Sequence, residues 1–339
     1  MDSLRQILLL LLIVLLSGCN TKPFSVGNGG LLVVVADELD RPVLSKTINS
    51  RFCQVTNTPQ PEHQFEIIWT DGNSLSNRTR DPLLLLATTL NGQGSTADLL
   101  RRMLTLEVKE GIESGEYSIF TRHNPWARKQ LLLIIVGRNK RELGERITEW
   151  SDSLYKWTID FEYDRLVRNL IKGRKNKWYK HKSDVVSDFQ IILPPDYIQT
   201  QQNDSLNFIR FIRHYPDRWI TISWGKLDDD TLFNPQYIFD NRKTISNSFL
   251  DPVLVYDDHW KSEEVVFNDQ QAYCIRGLWA TQGPTGGGPF FSYGFVIPKN
   301  NYYYIIDGAI FSPGDAKMPY LWQLNAIAHS FQHNIDGTK

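Results

Sequence analysis

Residues 302–311 read Tyr-Tyr-Tyr-Ile-Ile-Asp-Gly-Ala-Ile-Phe. Two stretches of the same kind precede them: Ala-Tyr-Cys-Ile-Arg-Gly-Leu-Trp-Ala-Thr at 272–281 and Phe-Phe-Ser-Tyr-Gly-Phe-Val-Ile at 290–297. Aromatic and β-branched residues dominate all three, and glycine- or asparagine-containing breaks separate them. That composition and length read as strands. Together with residues 264–267 they form an expected antiparallel meander. Upstream, residues 188–193, 208–214 and 219–224 read as further strands. Residues 235–250 hold a helix, and residues 315–333 close the chain as another, with Leu321, Leu324, Ala328 and Phe331 on its buried side.

The first half alternates strands and helices. Residues 31–36 and 83–89 are apolar runs of strand length, and 131–136 is almost wholly apolar, which places it centrally in a sheet. In 65–69, Phe65, Ile67 and Trp69 share one face. Residues 96–109 have helical spacing, with Ser95 as the expected N-cap. The clearest helix carries Leu143, Ile147, Trp150, Leu154, Trp157 and Phe161 on one stripe and runs toward Gly173. These patterns give an α+β fold in two halves, with mostly antiparallel sheets, helices packed on the sheets, and a long amphipathic helix between the halves. The expected division is 1–18 signal peptide, 19–30 flexible tether, 31–182 first half ending in a basic linker, and 183–337 strand-rich second half.

The amino terminus supplies an address. Ten consecutive apolar residues, 7–16, run into Leu16-Ser17-Gly18-Cys19. A membrane-spanning helix needs about 20 apolar residues, so the run reads as a cleaved signal ending in a lipobox. Cys19 is the expected lipidation site and membrane lipid the expected partner, because two or more acyl chains anchor stably. Asn20 is not the aspartate of inner-membrane retention, and 20–30 lacks an acidic run. An outer-membrane anchor facing the periplasm follows as the expected location.

Net charge is −1, with 41% hydrophobic and 22% charged residues. That balance is ordinary for a globular protein and gives no reason to expect nucleic acid. The segment 172–182 holds six Lys/Arg and no acid; it reads as a solvated linker, with a membrane-surface contact as the alternative. Cys53 and Cys274 are left once Cys19 is lipidated, and sequence alone leaves their pairing open.

No motif carries chemistry. His329 and His333 have zinc-like spacing on an expected helix, but the general-base glutamate of such sites is missing, so no metal is expected. Residues 283–289 are glycine-rich but precede a strand, and a hairpin connection suits them better than a phosphate loop. Asp228-Asp229-Asp230 reads as a solvated turn without calcium-loop spacing. No cofactor is expected.

Several ordered motifs resemble an uncharacterised lipoprotein family of the Bacteroidetes, domain of unknown function 4837. They are Trp126-Ala127 with Gln130 before an apolar strand, Pro194-Pro195 with Tyr197, Asn241-Arg242, Arg276-Gly277-Leu278-Trp279 before Gly287-Gly288-Pro289-Phe290, and Pro313-Gly314 with Lys317. The resemblance runs over nearly the whole mature chain. It implies an α+β body behind a lipid anchor and brings no catalytic residues.

Arg276, Trp279, Asn241 and Lys317 are the candidate ligand-binding residues, and their convergence on one pocket is the expected signature. Trp279 also reads as a core anchor. Arg276 shares a sheet face with Leu278 and either pairs with a carboxylate or binds an anion or peptide carboxylate. The function expected is a non-catalytic binding or assembly module of the cell envelope, with an envelope protein or glycan as partner. The alternative is a periplasmic hydrolase acting on an envelope glycan or peptide. For the anchor, Cys19→Ala is expected to abolish metabolic labelling with a palmitate analogue; labelling that persists sinks the lipobox reading.

Overall fold

The computed structural model describes residues 22–56, 60–173, 175–181, 188–228, 232–248, 253–281, 286–299 and 301–333. Cys19, the apolar run before it, Asp229, Asp230 and residues 283–285 lie outside them. The chain forms two compact units: Met1–Gly27, Leu32–Ser45 and Ile68–Glu149 make the first, and Asn28–Leu31, Lys46–Ile67 and Trp150–Lys339 the second. Secondary structure is mixed, with mostly antiparallel sheets.

The elements of the first part of the chain are β1 (Leu31–Val35), α1 (Arg41–Phe52), β2 (Val55–Thr56), β3 (Glu62–His63), β4 (Glu66–Thr70), β5 (Leu83–Thr89), α2 (Ser95–Met103), α3 (Leu106–Ser114), β6 (Ile119–His123), β7 (Leu131–Gly137) and α4 (Lys140–Glu149). A five-stranded sheet has the order β4-β1-β5-β7-β6. Its centre is parallel: β1 pairs with β5 and β5 with β7, while β6 is an antiparallel edge. Every residue of β5 and β7 is buried. That is why both read as unbroken apolar runs rather than alternating ones. One face packs Leu84, Leu86, Leu132 and Ile134 with Leu100 of α2 and Ile112 of α3. Ile68 of β4 joins this cluster, while Phe65 is fully buried and Ile67 and Trp69 are half-buried.

The single helix expected over 96–109 is two. Leu104 is extended (φ −97, ψ 142), and Thr105 caps α3 by accepting from Val108 N. Ser95 is the first residue of α2 and not its cap. The carboxylate of Asp37 serves instead, accepting from Thr96 N at 2.9 Å and Ala97 N at 3.3 Å. Residues 22–27, expected within a tether, hold no regular element yet are hydrogen bonded within the first unit. Ser25 N donates to Arg128 O at 2.9 Å and Val26 N to Arg80 O at 2.8 Å.

The remaining elements are α5 (Ser151–Lys172), β8 (Lys177–His181), β9 (Phe189–Leu193), β10 (Ile198–Asn203), β11 (Phe208–Arg213), β12 (Asp217–Lys226), α6 (Pro235–Asn247), β13 (Val253–Phe267), β14 (Gln270–Thr281), β15 (Gly287–Ile297), β16 (Tyr302–Phe311), α7 (Met318–His329) and β17 (Gln332–His333). The apolar stripe over 143–161 is interrupted. Trp150 (φ −95, ψ 3) separates α4 from α5, so Leu143 and Ile147 belong to one unit and Leu154 and Phe161 to the other. The long helix is therefore part of the second unit, not the end of the first. Phe52 and Phe65 also belong there, packing around Tyr155, with Phe65 against Trp322. The basic linker contains β8, which pairs with β9 in a small sheet of order β17-β9-β8.

A seven-stranded sheet organises the second unit, in the order β10-β11-β12-β16-β15-β14-β13. The meander β13 to β16 is antiparallel throughout, as read from the sequence. Alternation divides its side chains. Ile220, Ile222, Tyr304, Ile306, Phe291 and Phe295 face α7, with Leu324 and Ile327. Ile305, Ala309, Phe290, Ile275 and Trp279 face α6, with Ile238 and Phe239. Both faces are covered, so β16 is buried along nearly its whole length. Gly288 is required by close approach: a Cβ there would lie 1.9 Å from Ile310 O.

The α7 face encloses a titratable cluster. The His329 ring stacks on Tyr163 with centroids 4.4 Å apart, and its Nδ1 lies 3.2 Å from Asn268 Oδ1. Tyr293 Oη donates to Asn325 Oδ1 at 2.7 Å. Burial, helped by the Arg276 charge, lowers the His329 pKa to about 3. Cys274 is buried and Cys53 partly so, and both are free thiols; burial pushes each thiol pKa up. The helix ends at His329, so His333 sits on β17 and not on a shared helical face.

His329 is buried neutral, whereas in the unfolded chain its pKa is near 6.5. The unfolded state binds the extra proton between pH 6.5 and 3, so this contribution is complete above that window and is lost as pH falls through it. Urea unfolding at pH 7 and pH 5 is expected to show wild type losing up to about 2 kcal/mol more than His329→Phe. Equal losses in both proteins would contradict the burial of a neutral ring.

Candidate functional site

A cavity of about 560 Å³ opens on the α6 face of the seven-stranded sheet, within the second unit. Strand pairing builds its floor. Register sets Gln201, Arg210, Thr221, Asp307 and Ser292 side by side across five strands. The neighbouring row holds Ile212, Trp219 and Ala309. The side chains of one row point the same way because strand periodicity is two. A polar row thus lies beside an apolar one.

The wall is α6. Asn234 caps it, with its side-chain oxygen accepting from Tyr237 N at 3.0 Å, and Pro235 opens the first turn. Its buried stripe is Ile238, Phe239, Arg242, Ile245 and Ser246. Ile238 reaches the sheet over Gly294, where a Cβ would lie 2.5 Å from Ile238 Cδ1. The stripe turns Arg242 onto Asp307 in a buried ion pair. Asp307 Oδ2 also accepts from Ser292 Oγ at 2.5 Å, and the guanidinium lies 3.9 Å from the Phe290 ring centre. Next along the helix, Asn241 Oδ1 accepts from Ser223 Oγ at 2.9 Å.

Trp219 and Trp279 meet edge to face, with centroids 5.4 Å apart at 90°. Arg210 lies over the Trp219 ring at 5.4 Å. At the rim, His214 Nδ1 lies 2.8 Å from Asp217 Oδ1. Two buried donors of the lining, Arg242 Nε and Trp279 Nε1, have no acceptor among the described residues.

The four residues expected to converge divide in two. Trp279 and Asn241 line the cavity; Arg276 and Lys317 do not. Parity explains Arg276: three positions from Trp279 on one strand, it points to the α7 face. There it is partly exposed and pairs with Glu263. Lys317 serves the start of α7. Its N–H donates to both carboxylate oxygens of Glu62, at 2.7 and 2.8 Å, and its Nζ lies 3.5 Å from Gln60 Oε1. Cys19 lies outside the described residues.

Sequence reasoning missed Arg242 and Asp307, although a signal was present. Asp307 is the one charge inside an otherwise apolar strand, and a buried charge demands a partner. Trp219, Thr221 and Ser223 also escaped notice, since their alternation marks a face without saying that it is hollow. Among the described residues no group of three His, Cys, Asp or Glu could hold a metal, and no helix is long and apolar enough to cross a membrane.

This is an α+β protein whose antiparallel sheet encloses a part-polar cavity beneath one helix. Residues 176–330 match the model of a domain of unknown function, DUF4837, and residues 25–171 that of a second, DUF8532. The residues that build the cavity lie within the DUF4837 match. The resemblance read over nearly the whole chain is thus shared between two families, with Trp126 and Gln130 in the DUF8532 part. No curated protein is similar in sequence.

Three solved structures show partial likeness. A Bacteroides thetaiotaomicron protein has 12% identity and a TM-score of 0.29, covering 44% of this chain and 47% of its own. The Saccharomyces cerevisiae Ran-binding protein Mog1p has 10% identity and 0.32, covering 47% and 96%. LpqN of Mycobacterium tuberculosis, involved in cell envelope biogenesis, has 11% identity and 0.30, covering 50% and 94%. The chain spans about half the length of the first. Likeness at these scores carries no argument.

The Arg242–Asp307 pair gives a test of the site's construction. Removing one partner strands a buried charge and costs about 3–5 kcal/mol, while replacing both with apolar residues is close to neutral. Chemical denaturation of Arg242→Met is expected to show a loss of that size, and Arg242→Met/Asp307→Leu to recover most of it. A double variant as unstable as the single one would mean the pair is not mutually compensating.

Proposed function

We propose that the chain is a non-catalytic binding module of the cell envelope, held by an acylated Cys19 at the outer membrane and facing the periplasm, and that the α6-face cavity is its ligand site. The cavity carries the reading. Its volume falls in the range of about 300–1,000 Å³ of small-ligand sites, and it combines apolar walls with a few convergent polar groups. The arrangement of its hydroxyls supports binding over hydrolysis. Ser223 and Ser292 are hydrogen bonded to Asn241 and Asp307, and the rim histidine faces Asp217. Among the described side chains, neither serine lies against a histidine that could activate it. The Leu-Ser-Gly-Cys lipobox supports the anchor.

The test is native mass spectrometry of the protein released from envelope membranes in mild detergent, beside a Thr221→Trp variant that fills the cavity. An added small-molecule mass on wild type and none on the variant is the expected result. Recovery of the protein always alone, with turnover of an envelope glycan or peptide, overturns the binding reading in favour of a hydrolase.

A further inference from the structure

We infer that the ligand of the α6-face cavity is a neutral saccharide, one or two pyranose rings in size; this rests on the binding reading above. Charge comes first. The titratable residues of the lining are Arg210, Arg242, Asp217, Asp307 and His214. The two arginines and the two aspartates cancel. Arg242 is spent on Asp307, and Asp217 faces His214. A ligand carrying a full charge would meet a site with no net charge to offset it.

Polar lining comes second. Thr221, Ser223 and Asn241 line the cavity beside Arg242 and Asp307. A hydrocarbon chain would bury these groups against alkyl groups, whereas an occupant with hydroxyls can hydrogen bond to them.

Shape comes third. The perpendicular indoles of Trp219 and Trp279 form an apolar corner beside the polar row of Arg210, Thr221 and Asp307. A pyranose has this same division, with C–H groups on a ring face and oxygens around its edge. An extended peptide is also neutral, but it needs an open groove along a strand, and this cavity lies beneath a helix.

The experiment titrates the full chain with neutral probes, the methyl glycosides of hexoses and of N-acetylhexosamines and their disaccharides. Glucuronate and decanoate serve as charged and alkyl controls. Saturation-transfer NMR and tryptophan fluorescence report binding. At least one neutral saccharide is expected to bind while both controls fail. Thr221→Val removes a lining hydroxyl at nearly constant volume; it is expected to bind that saccharide about three- to tenfold more weakly, the size of one hydrogen bond, with its fold checked by thermal melting.

Two results overturn the inference while leaving the binding reading intact: preference for a control, or a non-saccharide mass released from the native protein. Unchanged affinity in Thr221→Val also overturns it. If no probe binds and no small molecule accompanies the native protein, both readings fall together.

Discussion

Asp307 sits in the middle of β16, the strand at the centre of the seven-stranded sheet, and it is 9% exposed. A carboxylate in that position is tolerated only when paired and hydrogen bonded. Arg242 from α6 and Ser292 from β15 supply those partners. The consequence reaches beyond the pair. It fixes how α6 is rotated about its own axis, because Arg242 must point at the sheet. With that rotation set, Asn241 falls beside Ser223, and Ile238 and Phe239 reach the apolar end of the same face. The cavity is the space left where α6 covers the β14 and β15 side of the face more closely than the β10 and β11 side.

The opposite face of the sheet shows the contrasting solution. There α7 meets a more closely filled aromatic and aliphatic layer, including Phe189, Phe295, Tyr304 and Phe331. Its few polar groups are satisfied by one another or held neutral, as His329 is. A filled face supports stability. The α6 face, part filled and part open, is the one with room for a ligand. Arg276 and Trp279, neighbours in a single motif, serve these two faces separately.

Much of the architecture was legible in local pattern. Composition and length in 208–224 and 272–311 gave the antiparallel strands, and a helix was read within 235–250. The almost wholly apolar run of β7 signalled a central strand. Helix interruptions were not legible. Trp150 continues the apolar stripe perfectly well, so period alone could not show that the chain turns there. The N-cap of α2 was misassigned to Ser95 because Asp37 caps it from 58 residues earlier in the chain. Short strands such as β8 and β17 also escaped, since each is defined by its pairing partner and not by its own composition.

The sequence by itself determined most of the secondary elements, the α+β class and the presence of a charge in an apolar strand. Those properties rest on interactions between residues a few positions apart. Tertiary structure alone decided which face of the sheet is hollow, which arginine meets Asp307, and that Trp279 and Asn241 share a cavity while Arg276 and Lys317 do not. The physical reason is that a cavity belongs to the register between strands and the placement of a helix over them. Neither is encoded in any one segment.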